Sequence, residues 1–190
     1  MTPTNETALI SWCVSLSQEF EFDSETTHLA VNYLDRYLST MRVAHVSKHY
    51  LLATACVYLA SKFGEEIKEP CISDVSVCSM FGSSVKDIKR MEAKVLKELK
   101  WELMPVTPQA LLSELMESVG ETVFPEELKS KLVEECQVYF SLALSRTEFL
   151  KFQPAILVFS AVQLVVPVAF QRLDLESPGL TAQSLGHSVY

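Results

Sequence analysis

The stretch from residue 47 to residue 63, SKHYLLATACVYLASKF, predicts a helix that has no polar face. From residue 50 to residue 60, only Thr54 interrupts a run of apolar side chains. A helix that is apolar all round has to be enclosed by other elements or by lipid. The run is shorter than the ~20 residues that a membrane span needs, and Lys48 and Lys62 bracket it. We therefore expect it to be the central helix of a globular helical domain.

Start and stop signals stand at both ends of this central helix. Ser47 is a suitable N-cap, because its hydroxyl can accept a hydrogen bond from a free backbone N–H. Lys62 lies in the predicted last turn, where a cation suits the negative end of the helix dipole. Phe63-Gly64 is expected to end the helix, since glycine readily adopts the left-handed conformation found at helix ends.

Four further helices are predicted around the central one, from apolar residues that recur at helical spacing. Their predicted bounds are Thr4 or Asn5 to about Phe20, Asp23 or Ser24 to about Met41, Ile72 to Phe81, and Val85 to Leu99. The last of these directs Ile88, Met91 and Val95 inward, and its lysine-rich opposite face is predicted to be a solvated surface.

A second, shorter series of helices is predicted after the linker WELMPVTP at residues 101–108. Thr107 caps its first helix, Pro125 opens the next, and residues 154–166 form a helix that is apolar nearly all round. This order of two amphipathic helices and one enclosed helix repeats the first series. No helices follow to cover the last one, so we expect an incomplete second domain. A membrane span there is disfavoured, because Gln163 and a proline interrupt it.

Composition and charge exclude several classes of function. The net charge is −8, divided as −2 over residues 1–100 and −6 over residues 101–190, which argues against binding nucleic acid or an anionic membrane. The five cysteines are an odd number without metal-ligand spacing, which is typical of reduced thiols in a cytosolic or nuclear protein. No catalytic constellation, phosphate loop, cofactor motif or metal motif is found, and the first ten residues, MTPTNETALI, do not resemble a signal peptide.

Four segments together resemble one family. They are LAVNYLDRYLS at 29–39, LLATACVYLASKFGEE at 51–66, MEAKVLKELKWEL at 91–103, and Thr107-Pro108. In this order and spacing they resemble the cyclin box, over residues 5–107 and more weakly to about 165, with most similarity to D-type cyclins. The resemblance implies an all-α cyclin fold, with one complete five-helix box followed by a partial second helical box. The expected domains are residues 1–104, 105–170 and a flexible tail, 171–190.

The resemblance also implies a function. Cyclins are non-catalytic regulatory subunits that bind and activate a cyclin-dependent serine/threonine protein kinase, so we expect a role in cell-cycle progression and a location in nucleus and cytoplasm. A lysine and a glutamate of the family grip the kinase and hold its mobile C-helix inward. These fall on Lys62 and Glu92, and Phe63, Glu65 and Glu66 are expected to share the interface. Gly64 stands where the family runs directly into its acidic pair, which leaves the alignment of that pair open.

A substrate-docking patch is the second site that the resemblance implies, and here the sequence departs from the family. Leu9, Trp12 and Tyr50 would line it, but Asn5 and Glu6 replace the family's methionine and arginine. We therefore expect weak or absent docking of Arg-x-Leu motifs, with kinase substrates or inhibitors as the further candidate partners.

The missing arginine also concerns the aspartate of the second predicted helix. In the family this arginine pairs with the aspartate that matches Asp35, and Glu6 would repel Asp35 if the two approach. Either Asp35 and Arg36 would then serve only locally, or a neighbouring cation would substitute for the missing arginine.

Two alternative functions remain open from the sequence. One is a cyclin-fold adaptor that binds proteins without a kinase, like the boxes of general transcription factor IIB or the retinoblastoma pocket. The other is a truncated cyclin that binds a kinase without activating it, a hypothesis prompted by the missing helices after residue 166.

Overall fold

The computed structural model describes residues 3–40, 45–65, 70–120 and 124–172, and within these ranges all regular structure is α-helical. The helices are α1 (Pro3–Glu19), α2 (Ser24–Thr40), α3 (Val46–Gly64), α4 (Ile72–Cys78), α5 (Val85–Glu98), α6 (Pro108–Ser118), α7 (Glu126–Leu144), α8 (Thr147–Leu150) and α9 (Pro154–Arg172). Glu66 and the tail from residue 173 onward lie outside the described residues.

The chain divides into two compact units. The first unit consists of residues 1–105 together with 144–148, and the second of residues 106–143 together with 149–190. The domain boundaries expected from the sequence stay predictions, although residues 171 and 172, assigned there to the tail, still belong to α9.

Helix α3 is the centre of the first unit, and α1, α2, α4 and α5 pack against it. Every residue from 52 to 61 is buried, with at most 6% of its surface exposed. Burying one Val or Leu side chain contributes about 1.5–3 kcal/mol, so this mostly apolar run supplies much of the driving force for folding of the unit. The prediction of a central, enclosed helix is confirmed.

Both end signals predicted for α3 are wrong in detail. The helix begins at Val46 with His45 in the N-cap position, and no side chain caps it, so Ser47 is already inside the first turn. At the other end Gly64 is the last helical residue and Glu65 occupies the C-cap position with a φ of −110°. A left-handed backbone at the helix end therefore does not explain the glycine at position 64.

The reason for a glycine at position 64 is a close approach to α2. A Cβ added at Gly64 would lie 2.1 Å from Oγ1 of Thr26, far inside van der Waals contact. The same hydroxyl donates a 2.8 Å hydrogen bond to Oε1 of Glu65, which also accepts a 2.8 Å bond from the backbone N–H of Asp23. We call Gly64, Glu65, Thr26 and Asp23 the α2–α3 junction; it joins the end of α3 to the start of α2.

Helix α4 is shorter than predicted, because it ends at Cys78 and not at Phe81. Phe81 and Gly82 both have left-handed backbones, with φ of 67° and 60°, which a continuing helix could not accommodate. The turn is held by Ser79, whose hydroxyl accepts a 2.8 Å bond from the N–H of Ser83. Ser84 then caps α5 by accepting a hydrogen bond from the N–H of Asp87.

In the second unit α6, α7 and α9 surround one apolar core. Its buried members are Leu112, Met116, Phe124, Leu128, Leu132, Cys136, Phe140, Val158, Ala161, Val162, Val165 and Val166. Thr107 caps α6 as predicted, accepting a bond from the N–H of Ala110. The prediction that the last helix ends near residue 166 is wrong, since α9 continues through Pro167 to Arg172. Its outer face leaves Ile156, Phe159 and Leu164 exposed.

Candidate kinase-contact site

The last turn of α3 and the middle of α5 bring Lys62 and Glu92 together. The Nζ of Lys62 lies 2.5 Å from Oε1 of Glu92, and it also lies 4.4 Å from the centre of the Tyr58 ring. Only 11% of the Glu92 side chain is exposed, against 31% of that of Lys62. Burial therefore fixes the carboxylate of Glu92, whereas the side chain of Lys62 is more accessible to solvent.

The electrostatics of this pair keep the lysine charged. Burial lowers the pKa of Lys62, but the hydrogen bond and the negative charge of Glu92, together with Tyr58, raise it by more, so the net shift is upward. A cation that is already oriented and partly desolvated loses little further freedom when it binds a carbonyl or carboxylate of a partner.

Apolar residues follow both members of the pair along their helices. Phe63 follows Lys62 and has 48% of its surface exposed, and Leu96, one turn beyond Glu92 on α5, is half-buried. The carbonyl of Leu96 accepts a 3.1 Å bond from the N–H of Trp101, whose own surface is 71% exposed. A charged pair within an exposed apolar surface is the composition of a protein-binding surface.

Trp101 is a candidate that the sequence reasoning missed, because that reasoning placed it in a linker. Lys100 and Trp101 both have left-handed backbones, with φ of 53° and 64°, which is uncommon for two consecutive residues that are not glycine. This conformation ends α5 and leaves the indole exposed. The sequence feature that could have identified Trp101 is a large aromatic residue directly after a strongly amphipathic helix.

Of the two predicted acidic contact residues, one is buried and the other lies outside the described residues. Glu65 is buried, and its Oε1 atom is engaged within the α2–α3 junction. Glu66 lies outside the described residues. A contact of either residue with a kinase stays a prediction.

The predicted docking patch is assembled in part. Trp12 donates a 3.0 Å hydrogen bond to Oγ1 of Thr54, and its ring meets that of Tyr50 edge-on at 6.0 Å. Leu9 instead lies in the core with 2% of its surface exposed. Phe81, which sequence reasoning did not assign to the patch, lies 5.5 Å from Tyr50 and is 63% exposed. The left-handed backbone of Phe81 was the feature that sequence periodicity could not show.

Arg36 contacts a residue that is 66 positions away along the chain, so its role is not confined to its own helix. Its Nη1 atom donates a 2.7 Å bond to the carbonyl oxygen of Glu102, and Nη2 lies 3.5 Å from the carboxylate of the same residue. Nearby, Tyr33 donates a 2.5 Å hydrogen bond to the carbonyl of Leu103. Burial alone raises the pKa of Asp35, and Glu6 does not contribute to this shift.

Within residues 3–40, 45–65, 70–120 and 124–172, no group of three His, Cys, Asp or Glu side chains could hold a metal ion. In that part of the chain, no helix combines the length and hydropathy that crossing a membrane requires.

Comparisons with known proteins address the family. The family model described as "Cyclin, N-terminal domain" matches residues 1–104. Cyclin-G1 of Bos taurus is 36% identical over 156 residues, which cover 80% of this chain and 52% of that protein. Cyclin-A2 of Gallus gallus is 32% identical over 158 residues, covering 82% and 38%. The chain thus spans about half or less of the curated relatives it matches.

A solved structure gives the same answer for the fold. The X-ray structure of a viral cyclin from herpesvirus saimiri superposes with a TM-score of 0.79 at 22% sequence identity, covering 100% of this chain and 79% of that one. The predicted all-α cyclin fold is confirmed, whereas a particular similarity to D-type cyclins stays a prediction. Since the family model covers more than half of its residues, this chain belongs to the cyclin family.

Proposed function

We propose that this chain binds a cyclin-dependent kinase through the surface around Lys62 and Glu92, and activates it. Members of the cyclin family are regulatory subunits and not enzymes themselves, so the chain is expected to act on the catalytic unit of another protein. The observation that carries the proposal is the 2.5 Å pair between Lys62 and Glu92, on the two positions that the resemblance assigns to kinase contact.

The geometry suits a helix as the partner element. Phe63, Leu96 and Trp101 offer apolar surface, while the Lys62 ammonium can donate to a carbonyl at the end of a docked helix. Apolar burial would supply affinity and the charged pair would set register. A kinase C-helix held inward in this way allows the catalytic lysine–glutamate pair of the kinase to form.

The test is a pull-down of cyclin-dependent kinases with wild type, Lys62→Ala and Glu92→Ala, with kinase activity assayed in each eluate. Removing one partner of a desolvated charged pair costs about 2–5 kcal/mol, so kinase binding should weaken by roughly 30-fold or more. Lys131→Ala is the matched control, because it removes an exposed lysine that is also 3.1 Å from a carboxylate, that of Glu127. Near-wild-type binding by both site variants would refute the proposal, provided that circular dichroism shows them folded.

The same eluates test a second candidate function, in which the chain binds a kinase without activating it. The exposed side chains of Ile156, Phe159 and Leu164 on α9 favour this candidate, because no other described helix covers that face of the second unit. Kinase present but inactive in the wild-type eluate would support it. Kinase absent from every eluate would favour the adaptor function instead.

Docking of substrates or inhibitors is proposed to be weak. Trp12 and Tyr50 already contact each other, and Leu9 is inaccessible in the core, so the predicted patch offers only part of its apolar surface. An Arg-x-Leu peptide should bind no more tightly to the wild type than to Trp12→Ala, as measured by fluorescence polarisation. A nuclear and cytoplasmic location is likewise proposed, and imaging of a fluorescent fusion would test it.

A further inference from the structure

The outer face of α5 carries a continuous row of cations. They are Lys86, Lys89, Arg90, Lys94 and Lys97, and all five are exposed. At 3.6 residues per turn they fall within an arc of roughly 140°, opposite the side where Ile88 and Val95 are buried. We call these five residues the basic face; it runs for about 17 Å along the helix.

The basic face contrasts with the rest of the molecule. Helix α5 contains five cations and three carboxylates, a net charge of +2, whereas the chain as a whole carries −8 and the remainder therefore −10. The three carboxylates, Asp87, Glu92 and Glu98, fall outside the arc of the basic face. Of the five cations of the basic face, only Arg90 forms an ion pair with another described residue, at 3.6 Å from Asp87.

A merely solvated helix face would be built differently. Solvated faces ordinarily interleave glutamate with lysine four residues apart, since such pairs stabilise the helix. Here like charges follow one another at spacings of three and four residues, at Lys86, Arg90, Lys94 and Lys97, which costs helix stability. The cap at Ser84 and the buried face hold α5 in place regardless, so the folding of the unit does not need these cations.

We propose that the basic face docks a glutamate- and aspartate-rich peptide segment of a partner protein. A short acidic segment matches the length of the 17 Å row, whereas a long polyanion such as nucleic acid or a membrane would extend beyond it and is disfavoured by the net charge of −8. Lysine supplies point charges in a line, while a phosphate group is bound best by converging arginines, and the single arginine of the row is already engaged with Asp87. A row of carboxylates is the complementary chemistry.

This surface is separate from the proposed kinase contact. Glu92 lies at the edge of the buried side of α5, with 8% of its residue surface exposed, while the basic face is on the solvent side. A partner with an acidic segment could therefore be recruited by a chain that holds a kinase through Lys62. The inference does not rest on the proposed function, because its test uses the chain alone.

The test measures binding of a fluorescein-labelled, glutamate-rich peptide of roughly 12 residues to the full chain by fluorescence polarisation at low salt; extended, it is long enough to span the row. The variant is Lys94→Gln/Lys97→Gln. Its matched control is Lys129→Gln/Lys131→Gln, which removes the same charge from α7, where each lysine is paired with a carboxylate. The α5 variant should bind roughly tenfold more weakly, and the control should stay close to wild type.

Three results would overturn the proposal. One is equal weakening by the two double variants, which would show a general charge effect. Another is tighter binding of a phosphoserine peptide of the same net charge, and the third is tighter binding of a single-stranded oligonucleotide or of anionic phosphatidylserine vesicles. Lys94, Lys97 and Lys131 are exposed, whereas Lys129 has only 11% of its side chain exposed, so circular dichroism of each variant verifies that the helices are intact. A neutral glutamine peptide should give no change in polarisation.

Discussion

Replacing Gly64 by alanine should destabilise the first unit, although alanine is ordinarily the better helix former. The added Cβ would lie 2.1 Å from Oγ1 of Thr26 and 3.3 Å from its Cβ. Thr26 is fully buried, and its hydroxyl is fixed by the 2.8 Å bond to the Glu65 carboxylate, so the clash cannot be relieved by a simple rotation.

The size of this destabilisation depends on the hydrogen bond between Thr26 and Glu65, which the added methyl group would break. Losing a hydrogen bond to a charged group costs about 1.5–3 kcal/mol. The gain from glycine to alanine is at most about 1 kcal/mol, and less at the last helical residue. The net loss for Gly64→Ala is therefore about 1–2 kcal/mol in the free energy of unfolding, measured by urea denaturation monitored by circular dichroism at 222 nm.

A double-mutant cycle with Thr26→Ala isolates the cause. That substitution removes the clashing oxygen, and the remaining 3.3 Å approach of the two β-carbons needs only a small shift. The double variant should then be less destabilised than the sum of the two single variants by about 1 kcal/mol, whereas independent sites add within about 0.3–0.5 kcal/mol.

Gly82→Ala is the control for this cycle. A Cβ there would meet nothing within 4 Å, although the φ of 60° makes alanine strained. It should cost about 1–2 kcal/mol through the backbone alone, and Thr26→Ala should not relieve it. Additive effects for the Gly64 and Thr26 pair, or a stabilised Gly64→Ala, would refute the explanation of the glycine.

Three further predictions concern titration and buried groups. Burial raises the pKa of the Asp35 carboxyl group above 3.8, so the folded state binds its proton more tightly than the unfolded state does. The free energy of unfolding therefore falls as pH rises from 3.8 to the folded pKa. In urea melts, Asp35→Asn should be more stable than wild type at pH 7, and the difference should vanish below pH 3.8. Tyr33→Phe removes the hydrogen bond to the buried Leu103 carbonyl and should cost about 1–3 kcal/mol in the same assay, and an unchanged midpoint would contradict that bond. Cys71 is exposed and should react with Ellman's reagent within the mixing time, whereas Cys13, buried and with its pKa raised to about 12, should react only on unfolding.

Sequence patterns predicted those features that depend on neighbours along the chain. The mostly apolar run of α3 predicted a helix enclosed by others, and Thr107 followed by Pro108 predicted the start of α6. Both predictions succeed because caps and periodicity depend on residues that are close in sequence. The pairing of Lys62 with Glu92 was different, since only the family resemblance related two positions 30 residues apart.

Sequence patterns could not predict features that depend on contacts between residues far apart in the chain. Gly64 reads as a helix stop from its neighbours, and only the packing of α2 against α3 shows that it makes room for Thr26. For the same reason the acidic Glu65 suggested a surface residue, yet it is buried against the N–H of Asp23. Pro167 reads as a helix end, but the apolar core of the second unit keeps α9 helical through it.

The placement of the two tryptophans has a practical consequence for spectroscopy. The chain has only two, and their surroundings differ: Trp12 donates a hydrogen bond to Thr54 and contacts the ring of Tyr50, while the indole of Trp101 is mostly in water. Trp12→Phe would leave Trp101 as the single source of emission, centred at long wavelength and open to quenching by acrylamide. A blue shift of that emission on adding a partner would then report, without any label, that the partner covers the exposed indole of Trp101.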